Sequence, residues 1–219
     1  MFDIYNETVA EYFLRNITID NFPKNNFCIF DLEGTGLDRT NDSITQIGAV
    51  RIIDGKLDEK MFCEYIRPEK RIPQAIEKLT GITNEMVKEK YRFDQVYPSF
   101  EEYAKGCILV AQCGYEYDYH MLNAACDRYG ITRNASIELD TKIIFSFLHP
   151  EIDKTISTDF LIRYYNINVS NLPRHNALTD SIIIARALTQ MLKEFTINNS
   201  KLAIADGCII KKYIPKPLE

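Results

Sequence analysis

NFCIFDLEGTGL, at residues 26–37, is the stretch that decides the fold class. Its first half is a short apolar run of the kind that forms a buried strand. The run ends in two carboxylates, Asp31 and Glu33, and two glycines follow. Because residues two apart on a strand face the same side of a sheet, both carboxylates are predicted to project together from its end. The plainer interpretation is that they open a polar loop.

The sequence beyond that strand predicts a mixed sheet with helices on both faces. Further strands are predicted at residues 44–53, 61–68, 107–113 and 136–140, with a hairpin turn at Asp54 and Gly55. Helices are predicted at residues 73–79, 84–89, 97–105, 116–129, 142–148, 156–165 and 177–195. Antiparallel strands followed by strand–helix alternation indicate an α/β fold with a mixed five-stranded sheet.

The two ends of the chain are predicted to lie outside the main domain, which covers residues 26–195. Residues 1–25 place apolar side chains at helical spacing until Pro23 stops the pattern. These side chains are Phe2, Tyr5, Val9, Tyr12 and Phe13. The predicted amphipathic helix is expected to dock on the domain or on a partner such as a polymerase. Residues 196–219 form a predicted tail with room for one more strand.

Composition and charge exclude several classes of protein. The 219 residues include 26 lysines and arginines against 31 aspartates and glutamates, a net charge of −5. This balance argues against a protein that coats nucleic acid by charge, but not against an enzyme that binds phosphates through metal ions. The six scattered cysteines predict reduced core thiols. Without an apolar run of about 18 residues or signal-peptide features, the chain is predicted to be soluble, cytoplasmic and free of membrane contact.

Two more carboxylates lie on helical stripes that otherwise have the pattern of a buried face. Asp118 is in line with Leu122 and Ala125, and Asp180 with apolar residues of the last predicted helix. A buried carboxylate costs several kcal/mol unless it is paired or bound to metal, and neither stripe carries a basic residue. The alternatives are an exposed stripe edge or a salt bridge.

Four converging carboxylates would repel one another and raise each other's pKa values. Ligation by oxygen alone suits Mg²⁺ or Mn²⁺, whereas zinc favours closely spaced His and Cys residues. His175 lies five residues before Asp180, and Pro173 and Asn176 place it on the loop before the helix. There it can approach a reacting water. A solvent-exposed loop histidine is the plainer interpretation, and the better one for His120 and His149.

Two motifs give the chain a family resemblance. DLEGTGL at residues 31–37 matches DxExTG, and HNALTD at residues 175–180 matches HxAxxD, with Asp118 between them in GYEYDYHML. From about residue 26 to 195 the chain resembles the DEDDh 3′→5′ exonucleases. These are a ribonuclease H-like branch that includes the proofreading epsilon subunit of bacterial DNA polymerase III. LTGIT at residues 79–83 also resembles a segment of that family.

The resemblance implies a two-metal phosphodiester hydrolase with a ribonuclease H-like fold. Two Mg²⁺ or Mn²⁺ ions would be held by four carboxylates, and His175 would deprotonate the attacking water. The implied metal ligands are Asp31, Glu33, Asp118 and Asp180. The implied substrate is the 3′ end of single-stranded DNA or a frayed duplex, and the product is a nucleoside 5′-monophosphate.

The resemblance also implies contacts to the terminal nucleotide. Gly34 and Gly36 would let the backbone approach it, although a tight turn would equally explain both glycines. Thr35 would hydrogen-bond it, and Leu37 and Leu79 would flank its base. Five basic residues are candidates for phosphate contacts or simply for a solvated face. They are Arg67, Lys70, Arg71, Arg163 and Arg174.

One departure and two alternatives remain open. The family's middle motif carries His-Asn before Phe-Asp, whereas this chain has Cys113 and Gly114 there, with Tyr117 before Asp118. Gly114 lacks the amide expected to hold the substrate strand, which predicts altered contacts rather than lost catalysis. The first alternative is the same chemistry on RNA or short oligoribonucleotides. The second is a non-catalytic nucleic-acid-binding or polymerase-docking module, whose signature would be a missing ligand or histidine.

Overall fold

The computed structural model of the chain describes residues 3–195 and 200–212. Their strands are β1 (Asp3–Tyr5), β2 (Glu11–Arg15), β3 (Ile17–Ile19), β4 (Phe27–Gly34), β5 (Ile44–Ile53), β6 (Lys56–Leu57), β7 (Phe62–Tyr65), β8 (Ile108–Ala111), β9 (Glu138–Asp140), β10 (Leu202–Ile204) and β11 (Cys208–Lys211). The helices are α1 (Gln74–Thr80), α2 (Asn84–Val87), α3 (Phe93–Ala104), α4 (Asp118–Tyr129), α5 (Thr141–Leu148), α6 (Thr158–Tyr164) and α7 (Ala177–Glu194).

The central sheet is mixed, as predicted, and its strand order is β6-β5-β4-β8-β9, with β7 also paired to β5. β4 runs antiparallel to β5 and parallel to β8, and β8 runs parallel to β9. The sheet has six strands rather than the predicted five. The additional strand is the two-residue β6, which directly follows the turn at Asp54 and Gly55. Both turn residues have positive φ, 50° and 75°, as a tight hairpin turn requires.

Helix α7 lies directly on the sheet at Gly48 of β5. A Cβ atom at that position would stand 2.1 Å from the backbone nitrogen of Leu178, so only glycine allows this approach. Ser181 Oγ donates a hydrogen bond to the Gly48 carbonyl at 2.9 Å, and the Ala177 N–H donates to Gln46 Oε1 at 3.0 Å. These contacts fix the first turn of α7 over the neighbouring strand β4.

The predicted helix over residues 1–25 is wrong, because the described residues from 3 to 19 form three strands. β2 pairs antiparallel with β1 and β11, and β3 pairs with β10, so both ends of the chain build two small sheets. Burial there alternates with a period of two, with Tyr12, Leu14, Ile17 and Ile19 inside. Phe2 lies outside the described residues.

The strand predicted in the C-terminal tail is confirmed as β11, and β10 precedes it. Residues 196–199 and 213–219 lie outside the described residues. The division of the chain at residues 25 and 195 stays a prediction. In the part of the chain that the structure describes, no helix combines the length and the apolar character needed to cross a membrane.

Candidate active site

A cavity of about 250 Å³ lies at the carboxyl-terminal ends of β4 and β8, and we call it the carboxylate pocket. All five residues predicted to carry the chemistry line it: Asp31, Glu33, Asp118, His175 and Asp180. Carboxylate oxygens of Asp31, Glu33 and Asp180 lie within 4.8 Å of one another. The structure therefore brings these residues together, while their individual roles stay predictions.

Asp118 is buried at the first position of α4 and is tied to β4. Its Oδ1 accepts a hydrogen bond from the backbone N–H of Leu32, at 3.2 Å. Leu32 lies between Asp31 and Glu33, so this bond attaches α4 to the strand segment that carries two of the other carboxylates. The predicted position of Asp118 on an inward-facing stripe of a helix is confirmed, and its neighbour Leu122 is fully buried.

Asp180 lies in the first turn of α7 and has partners on both oxygens. Its Oδ2 accepts the backbone N–H of His175 at 2.8 Å, and its Oδ1 accepts Arg174 Nε at 2.5 Å. Arg174 Nη1 also donates to Asp159 Oδ1, at 2.7 Å. The helical stripe of Asp180 carries no basic residue, and its ion-pair partner comes instead from the loop before α7. Of the five basic residues singled out above, Arg174 is the one that lines this pocket.

His175 lies on the loop before α7, as predicted, because the helix begins at Ala177. The side chain of Asn176 caps the helix by accepting the Thr179 N–H at 3.3 Å. His175 has φ of 60°, a left-handed conformation that is uncommon for residues with a side chain. This backbone directs its N–H to Asp180, while the residue itself borders the pocket.

Comparison with known proteins agrees with this geometry. The chain matches the RNase T family model, described as an exonuclease, over residues 28–188. A DNA polymerase III of the PolC type from Caldanaerobacter subterraneus subsp. tengcongensis is 33% identical over 168 residues, which are 77% of this chain and 12% of that polymerase. The chain belongs to the DEDDh exonuclease family. It spans about an eighth of the length of these curated relatives.

Solved structures of nucleases share the fold. The nuclease domain of 3′hExo, a DEDDh family member bound to rAMP, has a TM-score of 0.69 and 20% identity, covering 78% of this chain and 93% of that domain. Exonuclease X in complex with 5′ overhanging duplex DNA has a TM-score of 0.59 and 26% identity, covering 80% and 96%. The ribonuclease H-like α/β architecture predicted from the sequence is thereby confirmed.

The electrostatics of this DEDDh pocket favour a bound cation. Burial, followed by the charges of neighbouring carboxylates, raises the pKa of Asp31 well above its usual value. Burial and Asp180 raise the pKa of Glu33 to about 8, against the opposing charge of Arg174. Burial likewise raises the pKa of Asp118. An all-oxygen set with excess negative charge fits the hard divalent ions that this exonuclease family uses.

The two glycines and the threonine at the end of β4 have roles in the protein's own packing. A Cβ at Gly34 would lie 2.4 Å from Tyr117 Oη, and one at Gly36 would lie 2.4 Å from Asp42 Oδ2. The buried Thr35 hydroxyl donates to Asp42 Oδ1 at 2.7 Å and accepts the Ser43 N–H at 3.0 Å. The tight-turn interpretation therefore has direct support, and a contact of Thr35 with a nucleotide stays a prediction.

The two leucines predicted to flank a base are available for it. Leu37 is 59% exposed and Leu79 is 40% exposed, which is high for large apolar side chains. Their contact with substrate stays a prediction.

Gln112 and Cys113 line the pocket and were not singled out as site residues. The available signal was their position directly after β8, which matches the position of Asp31 on β4. Gly114, which lacks the amide that the family motif carries at this position, packs against the Tyr119 ring, where a Cβ would lie 2.6 Å away. Gln112 Nε2 donates to the Ile156 carbonyl at 2.6 Å, so its amide joins the pocket wall to the segment before α6.

Proposed function

We propose that the chain is a metal-dependent 3′→5′ exonuclease that acts on single-stranded DNA or frayed 3′ ends and releases nucleoside 5′-monophosphates. The observation that carries this proposal is the convergence of five residues, from β4, α4, α7 and the loop before α7, in one pocket. Four of them are carboxylates, which suit divalent ions. The fifth is a histidine, which is not among the predicted metal ligands.

In this mechanism the carboxylates would hold two divalent ions, Mg²⁺ or Mn²⁺, and His175 acts as the base. When bound, such ions would stabilise the charge of the phosphate and lower the pKa of a water. His175 accepts the proton of the attacking water, and its loop backbone is held by the hydrogen bond to Asp180. Asp118, tied to β4, keeps α4 and the strand in the register that the pocket requires.

DNA is favoured as the substrate by the PolC-type relatives, which are DNA polymerases, one of them 33% identical over 168 residues. The competing substrate is RNA or short oligoribonucleotides, and one observation supports it: a structural neighbour of this chain is bound to rAMP. Docking to a polymerase stays a proposal, but an N-terminal helix would not mediate it. The residues expected to form a docking helix pair with the chain's own C-terminal strands. The cytoplasmic location stays a prediction.

The test is a time course on 5′-labelled single-stranded DNA and RNA of one sequence, with Mn²⁺ or with EDTA. We expect the DNA to shorten stepwise from its 3′ end with Mn²⁺, and to stay intact with EDTA or a blocked 3′ end. Internal cutting of a circular DNA, or full activity in EDTA, contradicts the proposal. Preferential shortening of the RNA selects the exoribonuclease, and binding without cleavage selects the non-catalytic module.

A further inference from the structure

Lys142, in the first turn of α5, is fully buried, which is rare for a lysine. Its Nζ makes an ion pair with Glu116 Oε1 at 2.5 Å and donates to the backbone carbonyl of Lys211 at 3.2 Å. Burial lowers the pKa of Lys142, but nearby acidic groups, Asp140 and Glu116 among them, outweigh it and raise that pKa. The ammonium is therefore charged inside the protein. We call Lys142, Glu116 and Asp140 the Lys142 cluster.

Glu116 lies on the short loop that delivers Asp118 to the carboxylate pocket. The backbone N–H groups of Glu116 and Tyr117 both donate to the Cys113 carbonyl, at 2.8 and 3.0 Å. Tyr117 Oη donates to the Gly36 carbonyl at 2.9 Å. The loop is thus a compact turn with Asp118 at its end, and Lys142 holds the Glu116 side chain within it.

The second partner of Lys142 belongs to the terminal sheet of β1, β2 and β11. Lys211 is the last residue of β11, which pairs with Glu11 to Leu14 of β2. The Tyr12 ring of β2 is buried and packs edge-on against Tyr115 of the same loop, at 6.4 Å between ring centres. Both strands lie outside residues 28–188, the part that matches the exonuclease family model.

We propose that Lys142 is a positioning residue, through which the terminal sheet fixes the Glu116 loop and hence Asp118 in the carboxylate pocket. The inference rests on the proposed function, because it is read through metal binding and nuclease activity. Groups that orient metal ligands from outside commonly change metal affinity or activity 10- to 100-fold when removed. Lys142 acts through Glu116 and the backbone and has no part in the reaction itself.

The experiment measures Mn²⁺ affinity by calorimetry on the full chain, at a temperature where each variant is folded by circular dichroism. We expect Lys142→Met to weaken Mn²⁺ binding about tenfold and to lower kcat with little change in KM. The sign of the change in affinity separates two explanations. Loss of a positive charge near the pocket would by itself strengthen Mn²⁺ binding, whereas a displaced Asp118 weakens it.

A second variant protects the test from misfolding. Replacing both partners, in Lys142→Met/Glu116→Met, leaves the net charge unchanged, and apolar replacements of buried ion pairs often retain stability. We expect this variant to bind Mn²⁺ about tenfold more weakly than the wild type. Arg51→Met is the matched control. It breaks an ion pair of the same 2.5 Å length with Asp58, at the other edge of the sheet, and should leave Mn²⁺ affinity unchanged.

The outcomes separate this inference from the proposed function. If the wild type binds no Mn²⁺ and is inactive, both are overturned. If the wild type binds Mn²⁺ and the folded double variant binds it equally well, the positioning role of Lys142 is overturned and the proposed function stands. If the double variant binds Mn²⁺ more weakly while Arg51→Met does not, the positioning role is supported.

Discussion

Two groups of buried and half-buried carboxylates lie on either side of the loop that carries Asp118, and they differ in how their charge is balanced. In the Lys142 cluster, a fully buried ammonium pairs with Glu116, and the pKa of Asp140 is about 6, raised by burial and held down by Lys142. In the carboxylate pocket, four acids share one arginine, whose bonds go to Asp180 and Asp159. The pKa of Glu33 there rises to about 8.

The difference shows what each group of acids is suited to do. A buried charge that the protein itself neutralises fixes local structure, whereas acids crowded without enough positive charge favour an added cation. Substitutions in the two places should therefore have opposite effects, and the following predictions test that contrast.

The largest expected effect is the loss of catalysis in Asp31→Asn. This change removes a charge but little volume from the carboxylate pocket, so kcat should fall by several orders of magnitude and Mn²⁺ binding should weaken. Single-turnover cleavage of labelled DNA and calorimetry measure the two effects. Asp58→Asn, at the far edge of the sheet, is the control and should remain active. Near-normal turnover of Asp31→Asn would remove Asp31 from the metal site.

His175→Asn should separate catalysis from cation binding in the pocket. Asparagine tolerates the positive φ at residue 175 better than most residues do, so the loop should keep its shape. Loss of a general base is expected to lower kcat about 100-fold or more, while Mn²⁺ affinity stays that of the wild type because no carboxylate is lost. A variant with wild-type kcat would show that His175 is not the base.

The two groups of acids should respond with opposite signs to the loss of one carboxylate, measured as the melting temperature in EDTA at pH 8. Glu33→Gln relieves repulsion in the carboxylate pocket and should raise the melting temperature by about 3 °C. Glu116→Gln leaves Lys142 without its charged partner and should lower it by a similar amount. Shifts in the same direction would show that the two groups are not balanced differently.

A further expected effect is a pH dependence of stability in EDTA between pH 6 and 8. The pKa of Glu33 is about 8 in the folded protein and near 4.5 when unfolded, so the folded state holds an extra proton in this range. Stability therefore falls as the pH rises. Asp140, whose pKa is about 6, adds a smaller fall near pH 6 and is mostly ionised in both states only above pH 7. Thermal melts should show a shallower fall for Glu33→Gln than for the wild type, and equal slopes would contradict the raised pKa.

The parts of the fold that the sequence predicts well are those whose patterns lie within a short stretch of the chain. The apolar run of β4 and the glycine-rich turn after it are contiguous, and the helical stripes of Asp118 and Asp180 need only a few residues on either side. Each signal places a side chain on a face of its own element. Convergence then follows from the order of strands and helices in an α/β sheet.

The parts that the sequence did not predict depend on partners far along the chain. β2 and β11 pair although about 195 residues separate them in the chain. No pattern within the first segment therefore indicates that it forms a strand rather than the helix that its apolar spacing predicts. Arg174 reaches Asp180 from a loop, where no periodic pattern indicates direction. The Thr35 hydroxyl donates to Asp42, a loop residue that no local pattern links to Thr35.

Gly48 shows how closely the helix and strands that form the pocket are packed. Helix α7 packs directly against the backbone of β5 at Gly48. The distance between Asp180 and β4 therefore depends on the absence of a Cβ atom at this position. A single methyl group at this point would act as a wedge, lifting the helix start and its loop together. The assembly of the pocket thus depends on a residue with no charge and no side chain, one that is not part of the pocket's lining.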